Sequence, residues 1–352
     1  MVRWQLSNRL GFEDLSKKVV ERGICAGCGA CVVACPYEGM LELVGGHPQL
    51  HIECKVCGIC SRVCPRFIDR LDELETFIFG RPKKPGEDFG IFREILVAKS
   101  TRDEVLGHCQ DGGVATTLIE AALNSEMIDG AIVSDLDPVV PWLPAPSVAI
   151  TADEVLQSTG TRYTYSPNLL ALRRCVADGL KRVAFVGTPC QIRALRRMQQ
   201  IPLRRISGFV TYTIGLFCSE CFTYEGLMIG KIQNDLGIDL TDIYKMNIKG
   251  KMRIQLKNGE VVEIPLREAK KFAEGKCSYC SDFSAELADI SLGGVGLDGR
   301  TLSVIRTEQG EKLINQAISD EALTVRPIKE FKRAFDLLTR LSRTKRKNER
   351  SD

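Results

Sequence analysis

No apolar run in this 352-residue chain approaches the roughly 18 residues that a membrane-spanning helix requires. The opening residues, MVRWQLSNRLGFEDL, also lack the continuous apolar stretch of a secretory signal, so a soluble, cytoplasmic chain is expected. No Gly-x-Gly-x-x-Gly follows a strand; the glycines from Gly293 to Gly299 come in the wrong order, which speaks against a nicotinamide dinucleotide site. A large net charge is absent too, with 48 Lys/Arg against 45 Asp/Glu. The net +3 hides a basic end, residues 340–352, with six Lys/Arg against Glu349 and Asp352, which leaves the remainder near −1. With no aromatic interleaved, this stretch reads as a solvated, frayed tail and not as a nucleic-acid site, and a docking role for it stays open. A balance of 44% hydrophobic and 26% charged residues excludes disorder as the dominant state.

Cysteine is abundant, fifteen against three histidines, and without a secretory signal that points to metal or redox work in a reducing compartment, not to disulfides. Eight fall between Cys25 and Cys64 in two matching runs, Cys25, Cys28, Cys31, Cys35-Pro36 and Cys54, Cys57, Cys60, Cys64-Pro65. The spacing C-x2-C-x2-C-x3-C-P, present twice, is that of two-cluster bacterial ferredoxins, where the fourth cysteine of each run ligates the other cluster. Cys25, Cys28, Cys31 and Cys64 are therefore expected to hold one 4Fe–4S cluster, and Cys54, Cys57, Cys60 and Cys35 a second. Zinc also takes four thiolates, but two pairs suffice for it, so three close cysteines plus Cys-Pro, twice over, favour iron.

Seven cysteines remain. Cys277 and Cys280 form a further pair that alone holds no metal. Cys190, after the strand 182–186, and Cys218, after the apolar strand 211–217, fall at strand carboxyl ends, where α/β sheets carry their functional groups. Pattern alone leaves a third cluster and scattered buried thiols as alternatives, with Cys109, Cys175 and Cys221 read as spare.

The fold class expected is an α+β ferredoxin-like N-terminal domain with two 4Fe–4S clusters (1–80), a Pro- and Gly-rich linker (81–91), an α/β domain (92–330), and a C-terminal helix with the basic tail (331–352). Within the first domain, a short helix carrying Phe12, Leu15 and Val19 leads, and 40–46 with 47–53 read as two strands around Gly45-Gly46. In the second, 94–100, 130–136 and 182–186 read as strands, and 114–125 and 191–200 as helices around a largely parallel core. Residues 252–264 are expected to form a hairpin around Asn258-Gly259. A last strand then follows the glycine-rich 293–299, before an amphipathic helix around Phe331, Phe335 and Leu338.

Six motifs keep their order through the second domain: Gln110-Asp111-Gly112-Gly113; Thr159-Gly-Thr161-Arg162-Tyr163 with Ser166-Pro167-Asn168; Thr188-Pro-Cys190-Gln191; Gly215-Leu-Phe-Cys218; Cys277-Ser-Tyr-Cys280; and Asp282-Phe283 with Glu286-Leu-Ala-Asp289. Together they resemble the family of the coenzyme F420-reducing hydrogenase beta subunit over roughly residues 92 to 330. With a two-cluster ferredoxin unit ahead, the whole chain resembles the electron-input subunit of the archaeal F420 dehydrogenase complex. It is more remotely similar to flavin and iron–sulfur reductases of chlorophyll metabolism.

The resemblance implies FAD, coenzyme F420 as substrate, and a third 4Fe–4S cluster on Cys190, Cys218, Cys277 and Cys280, with Cys221 a rival to Cys218. It further implies partner subunits of a redox complex, through which the chain would reach a membrane if it does so at all. Gln110, Asp111, Gly112, Gly113, Thr161, Arg162, Tyr163, Ser166, Gly187 and Thr188 are the FAD-contact candidates. Glycines permit close backbone approach, and hydroxyls and a guanidinium suit phosphate and ribose, although Asp-Gly-Gly by itself is a common turn. Flavin is the fitting converter between a two-electron hydride carrier and one-electron clusters. Hydride transfer needs stacking and exclusion of water, so no catalytic nucleophile is expected, and surface or packing roles are favoured for His108 and Glu286. Two rival readings remain, a non-catalytic polyferredoxin wire and a ferredoxin-dependent reductase of another organic substrate.

Overall fold

The computed structural model describes residues 10–68, 70–201 and 203–350. The start of the opening segment and the last two residues of the basic tail lie outside the described residues.

The repeat in the cysteine runs is a repeat of backbone. Gly29 (φ +81°) caps the helix Ala30–Ala34 and Gly58 (φ +71°) caps Ile59–Val63, each directly after the second cysteine of its run. Both helices stop at the fourth cysteine, Cys35 (φ −65°, ψ 121°) and Cys64 (φ −68°, ψ 123°), whose extended geometry the following proline favours. Between the runs lies the hairpin of β1 (Leu41–Val44) and β2 (His47–Leu50). The leading helix Phe12–Leu15 continues as a π-turn over Ser16–Val20 and buries Phe12, Leu15 and Val19. A helix at Leu71–Phe79 closes the segment.

The strands that follow are β3 (Glu94–Ser100), β4 (Gly130–Leu136), β5 (Pro144–Ala149), β6 (Val183–Gly187), β7 (Val210–Leu216), β8 (Ile243–Ile248), β9 (Lys251–Leu256), β10 (Val261–Pro265), β11 (Ile290–Gly293), β12 (Thr301–Ile305) and β13 (Leu323–Pro327). Eight of them form one mixed sheet in the order β13-β3-β12-β11-β7-β6-β4-β5. Its centre, β4, β6, β7 and β11, is parallel, and the flanking pairs are antiparallel. β8, β9 and β10 form a separate antiparallel sheet that contains the expected 252–264 hairpin. One expectation needs correction. After β12 the chain makes a helix, Glu308–Ser319, and a further strand, β13, before the helix Lys332–Arg346.

Both faces of the large sheet are covered, and alternation along the strands supplies each face. Ile132, Val183, Phe185 and Val210 point to one cluster, Ala131, Val133, Ala184, Val186 and Ile214 to the other. The second cluster is completed by Val114, Leu118 and Ile119 of the helix Val114–Asn124 and by Leu313 and Ile314 of Glu308–Ser319. The first takes Ile192, Leu195 and Met198 from the helix Pro189–Gln200, together with Ala26, Cys28, Ala30, Val33, Val63 and Leu74. The cysteine-rich segment therefore shares a core with the large sheet.

The 81–91 stretch is tied to its surroundings. Arg81 pairs with Glu87 at 2.6 Å, and Phe89 and Ile91 each give a carbonyl to the buried Arg306 at 2.9 Å. Arg306 also donates to Ser291 Oγ (2.7 Å) and to Ser284 (3.1 Å), so all three of its nitrogens have acceptors, which is the condition for keeping such a group inside. The basic end is not frayed. Lys332–Arg346 is helical, and Arg343 reaches Asp88 at 2.7 Å.

Candidate redox centre

The four parallel strands bring their carboxyl ends to one edge. Gly187 ends β6 and Thr188 follows it, Phe217-Cys218 follows β7 and Gly294 follows β11. A cavity of ≈ 680 Å³ opens at the opposite, amino edge, between Phe77, Arg196, Arg204, Asp289 and Thr307. The thiols and the glycine turns converge on the carboxyl edge, and open α/β sheets bind cofactors there, so we place the site at that edge.

Thiols fill the side of this edge that faces the N-terminal segment. Cys35, Cys54, Cys57 and Cys60 line a single cavity walled by Phe12, Met40, Leu41, Leu50 and Ile59. Cys28 and Cys31 are pushed up by burial and then by the charges of neighbouring thiols, Cys64 among them in both cases. Burial also lifts Cys64 to about 11, with Cys25 adding to it. The fourth cysteine of each run thus sits with the first three of the other. Among the described residues no group of three or more His, Cys, Asp or Glu side chains is drawn together to hold a single metal ion. A cubane spaces its thiolates more widely than one Zn²⁺ at ~2.3 Å from each sulfur, so this donor set fits clusters better.

Five further thiols gather beyond the first run. Cys190 lies beside Cys218 and Cys277, and Cys280 beside Cys190. Cys221, which pattern set aside, is among them: its Sγ is 4.0 Å from that of Cys218 and its backbone N–H donates to Cys277 Sγ at 3.4 Å. The hydrogen bond from the Cys221 thiol, with Lys345 and Lys276 nearby, brings Cys277 down to about 6, while burial takes Cys280 up to about 12. Cys218-x2-Cys221 has the spacing of Cys277-x2-Cys280, a signal in the sequence that could have found it. Cys28 packs in the same cluster as Cys190 and interacts with it electrostatically, so the thiols of the N-terminal segment approach those at the strand ends. Cys109, by contrast, turns its thiol onto the Asp111 carbonyl (3.0 Å), and Cys175 is buried in the core.

The candidate flavin contacts divide into two groups. Thr161 donates to Gln110 Oε1, Gln110 donates to Asn247 Oδ1 (2.8 Å), and Thr116 and Thr159 meet at 3.0 Å, which joins the 110–113 turn to the 159–163 segment. Asp111 ion-pairs with Lys249 at 3.1 Å, and its carboxyl lies against Gly294, where a Cβ would come within 1.7 Å. Burial raises the Asp111 pKa, with Lys249 opposing it. Gly112 donates to Thr301 Oγ1 (3.1 Å), and Gly113 (φ +70°) caps the helix Val114–Asn124. Arg162 Nε is buried with no hydrogen-bond partner among the described residues, and the Tyr163 ring meets Phe222 edge-on at 6.5 Å. An unfilled guanidinium donor at this edge fits a group bearing phosphate.

The second group is occupied within the chain. Ser166 donates to Asn168 (2.6 Å) and gives its carbonyl to Gln191, and Asn168 donates to the Val186 carbonyl (2.9 Å). A Cβ at Gly187 would meet Gln191 Oε1 at 2.7 Å, and Thr188 Oγ1 contacts Cys190 Sγ at 3.3 Å. His108 is exposed, and Glu286 is buried against Lys83 (3.7 Å) and Arg346. Among the described residues no helix is long and apolar enough to cross a membrane.

The chain is similar to known proteins in sequence and in fold. The family described as coenzyme F420 hydrogenase/dehydrogenase, beta subunit, matches through its N-terminal part at residues 95–173 and through its C-terminal part at residues 180–331. The chain is 38% identical over 261 residues to the coenzyme F420 hydrogenase beta subunit of Methanosarcina barkeri, covering 73% of this chain and 89% of that one. It is 30% identical over 345 residues to a subunit of the F420H2 dehydrogenase of Methanosarcina mazei, covering 94% and 91%. In a solved structure of the F420-reducing NiFe hydrogenase complex of Methanosarcina barkeri, one chain superimposes with a TM-score of 0.71 at 36% identity, covering 76% of this chain and 92% of that chain.

Proposed function

We propose a function from one premise: the chain belongs to the family of coenzyme F420 hydrogenase and dehydrogenase beta subunits. On this reading the protein is a cytoplasmic flavin and iron–sulfur oxidoreductase module that exchanges a hydride with coenzyme F420 and electrons with partner subunits of a redox complex. FAD supplies the conversion between hydride and single electrons, and three 4Fe–4S clusters supply the one-electron path. Cys25, Cys28, Cys31 and Cys64 would hold one cluster, Cys35, Cys54, Cys57 and Cys60 another, and the inner thiols, Cys190, Cys218, Cys277 and Cys280 with Cys221 beside them, the third.

The observation that carries this reading is that Cys28 and Cys190 pack in one cluster and are close enough to interact electrostatically, which brings the ferredoxin-type segment to the strand ends. Around it, the chain's own residues have defined tasks. Arg162 presents a buried, unfilled donor and Asp111 is held by Lys249, while a Cβ at Gly112 or Gly113 would strike the chain itself, at Ala98 and Thr301 or at Val105. Asn247 and Lys249, at the end of β8, hold Gln110 and Asp111 of the 110–111 turn in place.

Anaerobic mixing tests the proposal. Protein loaded with FAD and iron should lose its flavin absorbance when reduced coenzyme F420 is added, and its iron–sulfur absorbance afterwards, while NADH does neither. Flavin bleaching by NADH and not by the deazaflavin would refute the substrate. Reduction of the flavin by ferredoxin alone would favour a reductase of another organic substrate, and a chain that takes up iron and no flavin would be an electron wire.

A further inference from the structure

The basic end of the chain lies outside the family-matched residues 95–173 and 180–331, yet it closes on the Cys277-x2-Cys280 pair inside them. Lys345 Nζ donates to the Cys277 carbonyl at 3.0 Å and also to the Ser219 carbonyl. Asn348 Nδ2 donates to the Cys280 carbonyl at 3.2 Å. From the other side, Arg66, just past Cys64-Pro65 and likewise outside the matched residues, donates to the carbonyls of Tyr279 and Lys276, the latter at 3.5 Å. Within the pentapeptide 276–280, four carbonyls are thus engaged by three side chains from remote segments, and Ser219 between Cys218 and Cys221 is engaged by one of the same three. Arg343 and Arg346 anchor the helix that carries Lys345, the first on Asp88 at 2.7 Å, the second on Glu286 and the Asp88 carbonyl.

We propose that residues 343–348 form a clamp on the inner cysteine loops, in which Lys345 and Asn348 are positioning residues that fix the loops and set the reduction potential of the group held there. This rests on the reading that Cys190, Cys218, Cys277 and Cys280 bind an iron–sulfur cluster. Two physical effects act together. Carbonyl oxygens drawn outward onto donors cannot turn their negative ends toward the thiolates. The Lys345 ammonium lies close enough to Cys277 and Cys280 to act on both electrostatically. A positive charge favours the more negative, reduced form of a cluster, so Lys345 raises its potential. The clamp gives the +4 end a task within the chain, where the sequence suggested a free tail.

The test is a redox titration of the loaded full-length protein followed by electron paramagnetic resonance, with the two N-terminal clusters as internal references. Lys345→Met is expected to lower the inner cluster's midpoint, with about a tenfold fall in its reduced-to-oxidised ratio at the wild-type midpoint, the order for one partly screened charge. Lys345→Arg keeps charge and donor and is expected to restore most of it. Asn348→Ala keeps the charge and is expected to move the midpoint less, while Cys280 in the iron-free protein becomes faster to alkylate. An unchanged midpoint in Lys345→Met, with the iron content intact, overturns the clamp alone. If Lys345→Met does not fold, unchanged Cys280 alkylation in Asn348→Ala overturns it. Wild-type protein that binds iron for only two clusters overturns both the inner-cluster reading and the clamp.

Discussion

The two cysteine runs have the same spacing, the same glycine caps and nearly the same backbone, yet one is sealed inside the molecule and the other opens to solvent. Cys25, Cys28 and Cys31 are buried, whereas Cys54 is half-buried and Cys57 exposed. The difference comes from what packs on each. The helices of both runs pack against Pro189–Gln200, but Gly29 of the first run also lies against Leu170, and a Cβ at Gly27 would come within 2.7 Å of the Gly46 carbonyl. Around the second, Ile52 and Val56 remain exposed. A sequence repeat duplicates the chemistry, and packing then gives it a direction: under the proposed function the sealed run faces Cys190 and the open run faces the partner.

Under the proposed function, the largest difference between the runs comes from crossed ligation. Cys64→Ser should cost the protein about four irons and abolish the signal of the sealed cluster, and Cys35→Ser should do the same to the open one. Only Cys64→Ser should leave reduced coenzyme F420 bleaching the flavin while the open cluster stays oxidised. Iron analysis and paramagnetic resonance read both outcomes. Loss of the cluster belonging to the mutated residue's own run would refute the crossing.

Next come the caps. Gly29 and Gly58 share left-handed φ, so alanine strains both, but the added Cβ would meet Leu170 at 2.8 Å at Gly29 and nothing closer than 3.4 Å at Gly58. Thermal unfolding should show Gly29→Ala costing ~2–4 kcal/mol and Gly58→Ala ~1–2 kcal/mol. Equal losses would mean that the sealed run's surroundings yield as easily as the open run's.

How far this asymmetry could be read from the chain depends on distance along it. Ligand spacing, the 40–53 hairpin and the strands 94–100 and 130–136 are local, and local chemistry dictates them. Cys221 looked spare because its place depends on Cys277, 56 residues away. The basic end read as solvated because Lys345, Arg343 and Arg346 look alike to a composition count, while their acceptors, the Cys277 carbonyl, Asp88 and Glu286, lie 60 to 255 residues off. Helix Glu308–Ser319 and β13 were missed in a stretch whose apolar positions, Leu313, Ile314 and Ala317, are few and scattered among polar residues.

A smaller contrast lies two residues beyond each fourth cysteine. Arg66 follows Cys64-Pro65 and holds the carbonyls of Lys276 and Tyr279, while its counterpart Tyr37 follows Cys35-Pro36 and is exposed. Arg66→Ala should cost ~1–2 kcal/mol by releasing two carbonyls, and Tyr37→Ala should stay within about 0.5 kcal/mol of wild type. Denaturant titrations of the two variants side by side would show whether only the end of the second run, whose Cys64 sits with the sealed thiols, is tied to the inner loops.

The smallest effect concerns a residue at which the repeat itself is broken. Gly27 (φ +65°) and Val56 (φ +52°) occupy equivalent places between the first and second cysteines, and both lie in the left-handed region. At Gly27 the Gly46 carbonyl forbids a side chain, whereas the exposed Val56 has space but holds a β-branched residue in backbone that such residues avoid. Val56→Gly relieves that strain but adds chain entropy to the unfolded state, two terms of ~1 kcal/mol that oppose each other. Stability should therefore change by no more than about 1 kcal/mol, with relief of strain favouring a gain, and the open cluster's iron should be retained. A loss of several kcal/mol, or of that cluster, would show that the Val56 side chain supports the open run, which would then be less free of packing than its exposure indicates.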